Sequence, residues 1–105
     1  MSELEKLVVA KHYYEATKKL VLRMFEDGII PKEEPKIEVD ANTGRPKRIS
    51  PMLWQKFWTY WLFKQMLTDN VLIEGYLIGA EITPIYSTKQ IKNKYYKTVK
   101  FEVKL

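Results

Sequence analysis

Lysines and tyrosines, rather than the usual catalytic side chains, carry what chemistry this sequence offers. Between Tyr86 and Lys104 it reads "YSTKQIKNKYYKTVKFEVK", with lysines at 89, 92, 94, 97, 100 and 104 and tyrosines at 86, 95 and 96 against one acid, Glu102. Cations interleaved with flat rings suit a single-stranded polynucleotide, because every phosphate offers a charge and every base a π-face. The plainer alternative is a strand face or edge guarded by lysines against aggregation. A second basic run, "RPKR" (Arg45 to Arg48), precedes "SP" at 50–51, a place where a helix N-terminus favours anions. That loop gains meaning only if folding sets it beside the lysine-rich segment. The candidate phosphate contacts are Arg45, Lys47, Arg48, Lys89, Lys92, Lys94 and Lys100, and the candidate stacking rings are Tyr86, Tyr95 and Tyr96.

Hydrolytic chemistry has one outline, Glu102-x-Lys104 with Glu81 on the preceding segment. Acid-x-lysine strands hold Mg²⁺ and activate water in one class of nucleases. No Pro-Asp pair occurs anywhere in the chain, and Glu-x-Lys is also what polar alternation in a lysine-rich strand produces. His12 is the single histidine and cysteine is absent, which excludes a two-histidine metal site, a histidine relay, thiolate ligation and disulfides. "EGYLIGA" lacks the lysine and the spacing of a P-loop. The expectation is therefore a protein that is not an enzyme, with no catalytic residue, no metal and no cofactor.

The 105 residues make one domain or one protomer of a small assembly. The net charge of +5 is unevenly placed: residues 1–50 carry ten basic and nine acidic side chains, residues 51–105 eight and four. Polyanions are the natural partners of such a surplus. The opening "MSELEKL" is acidic and has no charged n-region ahead of an apolar run, so no secretory leader is expected. Lys56 and Lys64 interrupt the most apolar segment, so no bilayer span and no membrane partner are expected, and the predicted location is cytoplasmic. Abundant Lys, Glu, Ile and Tyr with few Asn and Gln lean toward a thermophile.

Residues 2–27 read as one amphipathic helix, with Ser2 and Glu5 as a capping box and Gly28 as its stop. Leu7, Ala10, Tyr14, Thr17, Val21, Met24 and Phe25 share one face, flanked by Val9, Tyr13 and Leu20. Residues 28–50 form a connector in which "KIEVD" is a short edge strand and "ANTG" a turn. Ser50 as N-cap and Pro51 at the first helical position open a second helix over 51–69. The β-branched run over 71–86, with Gly75 and Gly79 as bulge or close-approach points, predicts a strand. "STKQIKN" is its loop, and "YYKTVKFEVKL" alternates with Val99, Phe101, Val103 and Leu105 on one face. The fold class is α+β, two helices packed on a small antiparallel β-sheet in a single domain.

The segment "PMLWQKFWTYWLFKQM" (Pro51 to Met66) holds all three tryptophans and is apolar all round the helical wheel. A helix of that kind is buried on more than one side. With Trp54, Phe57, Trp58 and Trp61 as core and contact residues, the second side predicts a homodimer. The sharper alternative turns the edges of Trp54, Trp58 or Tyr60 toward bases.

This aromatic segment followed by "YYKTVKFEVKL", in a cysteine-free chain of this length, resembles the small proteins of viruses of hyperthermophilic archaea. Among them it is similar to the dimeric, non-OB-fold single-stranded-DNA-binding proteins of rod-shaped viruses. The resemblance implies single-strand binding in a host cytoplasm and carries no residue role. The leading expectation is a homodimer that binds single-stranded nucleic acid with little sequence preference. A protein that docks a partner through its aromatic helix, and a duplex-DNA regulator, are the alternatives. Against the regulator, the second helix lacks the Arg, Asn and Gln run that reads base edges.

Overall fold

The computed structural model describes residues 3–104 and the side chains of 13–104. In chain order the elements are α1 (Glu3–Glu26), β1 (Glu38–Val39), α2 (Pro51–Met66), α3 (Asn70–Leu77), β2 (Glu81–Ile91) and β3 (Lys94–Lys104). This is an α+β chain with a three-stranded antiparallel sheet in the order β1-β3-β2.

Helix α1 stops where glycine allows it. Gly28 takes φ +75, and the N–H groups of Ile29 and Ile30 turn back to Met24 O at 3.0 and 3.1 Å. Val21 is buried on the predicted face, with Tyr14, Thr17, Met24 and Phe25 half-buried and the flanking Tyr13 and Leu20 exposed. The capping-box residue Ser2, the terminal Leu105 and the side chains of Leu7, Val9 and Ala10 lie outside what is described. The "ANTG" turn forms as expected: Asp40 accepts from the N–H groups of Asn42 and Thr43 at 2.8 and 3.0 Å, and Gly44 takes φ +70.

Helix α2 starts on Ser50, whose hydroxyl accepts from Leu53 N at 3.1 Å ahead of Pro51. It ends at Met66 rather than at 69, because Asp69 adopts an extended φ −117 and caps a further helix by accepting from Leu72 N at 3.1 Å. The expected strand over 71–86 is thus corrected to helix α3 followed by β2 from Glu81. Leu72, Ile73 and Gly75 are buried on the inner face of α3, and Gly79 at φ +71 ends it. Gly75 is not a bulge: a Cβ there would lie inside the isopropyl group of Val103, so α3 rests on β3 through a bare backbone. Nor is "STKQIKN" a loop. Strand β2 runs through it to Ile91, and only Lys92 and Asn93 turn the chain into β3.

The core joins Phe57, Leu62 and Met66 of α2, Leu72 and Ile73 of α3, Ile37 ahead of β1, and Val99 and Phe101 of β3. Trp58 meets Phe101 edge-on at 4.8 Å, Tyr60 meets Phe25 of α1 at 6.0 Å, and Phe63 meets Tyr76 of α3 at 6.1 Å. The sheet and α3 pack on α2, α1 touches it through Phe25 and Tyr60, and its one exposed large apolar side chain is Met52. Of the all-round apolar wheel, Leu53, Trp54, Trp58, Trp61 and Phe63 are partly buried against this core. Among the described residues no helix is long and apolar enough to cross a membrane.

Candidate nucleic-acid interface

Backbone pairing decides which of the predicted side chains meet. Residues opposite one another in an antiparallel pair share a face, as do residues two apart along a strand. Lys89 lies opposite Tyr96, Ile91 opposite Lys94, and Ile85 opposite Lys100, so Lys89, Lys94, Tyr96 and Lys100 belong to one face. Tyr86 lies opposite Val99 and Gln90 opposite Tyr95, so Tyr86, Tyr95 and Lys97 belong to the other. The contact between Ser87 Oγ and Thr98 Oγ1 at 2.6 Å agrees with this register. The candidate set is split between two faces of the hairpin.

One group converges at the hairpin tip. Lys36, Ile91, Lys92, Asn93, Lys94 and Tyr96 line a concavity that includes three lysines, one aromatic ring and no acid. Lys36 holds its Nζ 5.5 Å from the Tyr96 ring centroid, a cation over a π-face. Lys92 occupies the turn with φ 56, a left-handed conformation that disfavours any side chain with a Cβ. The Gln90 amide donates to Lys92 O at 3.1 Å and braces that turn.

The basic loop comes alongside. Asp40 N donates to Arg45 O and Lys47 N to Glu38 O, both at 2.9 Å, and Val39 bridges to Pro46. The segment 45–47 thereby adds a short edge beyond β1, about 10 Å, or two strand spacings, from β3. Arg45 and Arg48 are exposed, whereas Lys47 pairs with Glu38 at 3.4 Å. The N–H groups of Asn42 and Thr43 hold the Asp40 carboxyl below its ordinary value and fix the turn that presents this loop.

Other predicted contacts have other neighbours. Lys89 is half-buried, pairs with Glu34 at 2.7 Å and lies over the Trp61 ring at 5.6 Å. Burial and the Glu34 carboxylate raise the Tyr60 phenol above its ordinary value, with Lys89 opposing. Among the described residues, the buried Trp61 indole N–H has no hydrogen-bond partner. Lys100 is exposed but stands six residues, about 20 Å, along β3 from Lys94. Tyr95 is half-buried. Tyr86 tilts against Trp54 at 5.6 Å, with the Lys97 ammonium 4.8 Å from the Tyr86 ring and 6.0 Å from Trp54, which itself stacks on Phe57 at 5.6 Å. Glu81 sits opposite Lys104 and Glu102 opposite Thr83. Among the described residues no three His, Asp or Glu side chains gather as they would around a metal ion.

The sequence gives no sign of the places that Lys36 and Lys97 take. Lys36 reaches Tyr96 only because β1 pairs with β3 some sixty positions later, and no local pattern announces that. Lys97 is one of the lysines of the basic segment, but its place between two rings depends on the register. Comparison with protein-family models, with curated proteins and with solved structures found no match to this chain.

Proposed function

We propose that the hairpin tip binds single-stranded nucleic acid, with little sequence preference and without catalysis. The observation that carries the reading is the acid-free concavity in which Lys36, Lys92 and Lys94 surround Tyr96. Phosphates would meet the three lysines and, along the same rim, Arg45 and Arg48, while a base stacks on Tyr96. The left-handed Lys92 supports this. Glycine or asparagine would turn the chain at lower cost, and backbone strain of this kind collects at functional sites. A single strand fits better than a duplex because the tip offers a ring and cationic arms from a hairpin rather than from a helix.

Fluorescent single-stranded oligonucleotides titrated across a salt series test the reading. With about five phosphate contacts, log affinity should fall against log salt with a slope of about −3 to −4. Lys92→Ala and Lys94→Ala should each flatten the slope by somewhat less than one unit. Tyr96→Ala should cost about 1–3 kcal/mol of stacking and leave the slope nearly unchanged. Absence of binding at about 50 mM salt would reduce the lysines to a solvated face.

A further inference from the structure

One hydrogen bond and the strand register fix the direction of every backbone group in the sheet. Lys97 N donates to Ile37 O at 2.8 Å, so odd-numbered residues of β3 aim their backbone groups toward β1 and even-numbered ones toward β2. Through the register, Glu81, Thr83, Ile85, Ser87, Lys89 and Ile91 face β3, and Ile82, Pro84, Tyr86, Thr88 and Gln90 aim away from the sheet. Pro84 agrees with this, since it has no N–H and stands where the ladder requires none.

The two flanks of the sheet are treated differently. Where β1 ends, the side chain of Gln65 takes the place of a strand: its Nε2 donates to Val99 O at 2.8 Å and its Oε1 accepts from Phe101 N at 3.2 Å. On the other flank, among the described residues, the outward N–H and C=O groups of Tyr86, Thr88 and Gln90 have no such partner. Natural edges are blunted by charge, proline or a bulge. From Ile85 to Ile91 the pairing continues without a bulge or a proline, and the one charge, Lys89, is neutralised by Glu34 at 2.7 Å.

We propose that this edge binds the same edge of a second copy of the chain, β2 antiparallel to β2, joining two three-stranded sheets into one. Self-complementarity fixes the register. With the two-fold axis at Thr88, Thr88 faces Thr88 of the second copy, Tyr86 faces Gln90, Ser87 faces Lys89 and Ile85 faces Ile91. Ile85 and Ile91 are 42% and 38% exposed in the single chain. In this register they cover one another twice, and the threonine pair sits on the axis, both favourable cross-strand pairings. An axis at Tyr86 would instead set Ile91 against Glu81 and Pro84 against Thr88. An axis at Ser87 would set Ile85 against Lys89 and Pro84 against Gln90. Either places a proline where a donor is needed and an isoleucine against a charge. Around Thr88 the two Lys89 side chains lie diagonally, each already paired within its own chain. The proposal does not depend on the nucleic-acid reading.

The chain has no cysteine, so a single introduced one reports only on its own copy. In Thr88→Cys the two Cα atoms would lie about 5.5 Å apart, within disulfide range. Mild oxidation should convert most of that variant to a species of twice 12.5 kDa. Gln90→Cys, about 14 Å from its symmetry mate, should remain unlinked. Thr88→Pro removes the outward N–H as Pro84 does. In sedimentation equilibrium it should raise the dimer dissociation constant about tenfold or more, with the circular dichroism unchanged. Ile91→Lys should have the same effect through a side chain alone, which decides the matter if the proline disturbs folding. A wild-type chain that stays monomeric at the highest concentrations reached overturns the proposal. So does a dimer that survives both Thr88→Pro and Ile91→Lys and fails to cross-link through Thr88→Cys.

Discussion

The missing side chain at position 75 lets α3 lie directly on the sheet. The nearest group to a Cβ added there is the branched, rotamer-poor side chain of Val103. Gly75→Ala should therefore lower stability by about 1–2 kcal/mol, overpacking outweighing the better helix propensity of alanine. In a Val103→Ala background the same change should become neutral or stabilising, by up to about 1 kcal/mol, because only the propensity gain remains. Urea midpoints of the four proteins test the pair, and equal costs in both backgrounds would mean that Val103 is not the obstruction. Gly75 was legible in the sequence as a close approach, although in a strand rather than a helix. Gln65 was not legible at all: on the wheel of α2 it is one scattered polar residue, and its bonds to Val99 and Phe101 join positions 34 and 36 residues away.

At the scale of elements, the decisive residue is Asp69. Its carboxylate caps α3 and its extended backbone breaks what would otherwise be one continuous helix with α2. Asp69→Ala should cost about 1 kcal/mol, while Asp69→Asn, which keeps the acceptor, should cost little. Thermal denaturation of the two variants separates capping from any effect of charge. The segment after Asp69 shows why the sequence misled here. "VLIEGYLIG" is β-branched and apolar, the composition of a buried strand. An eight-residue helix is marginal alone and forms because Leu72 and Ile73 are buried against α2 and the sheet. The caps of α2 and the stop of α1 were readable because each depends on two or three neighbouring residues. The strand alternation of β3 was readable for Val99 to Lys104, where burial follows it, and not for Tyr95 to Thr98, all half-buried as the long hairpin twists.

For the whole molecule, the net charge of +5 matters less than which cations remain unpaired. Lys89 and Lys47 are matched by Glu34 and Glu38, whereas among the described residues Lys36, Lys92 and Lys94 have no acid beside them at the tip. Glu34→Gln should therefore release Lys89 and steepen the salt dependence of single-strand binding by somewhat less than one unit. Lys89→Ala should scarcely alter it. Equal effects of Lys89→Ala and Lys94→Ala on the slope would contradict this distribution. The lysines and Tyr96 of the tip could be picked out from sequence because one hairpin holds them, but the approach of Lys36 and of Arg45 needed pairings that only the folded chain supplies. The unequal flanks of the sheet have one more consequence. If the bare edge of β2 joins two copies, that union uses up the bare edge of both, and what remains outward is the flank covered by β1, the 45–47 segment and Gln65. Growth stops at two. A flank left as bare as the β2 edge would instead let copy add to copy, the arrangement from which endless fibres are built. On this view the unequal cover of two flanks separates a finite particle from an unlimited one.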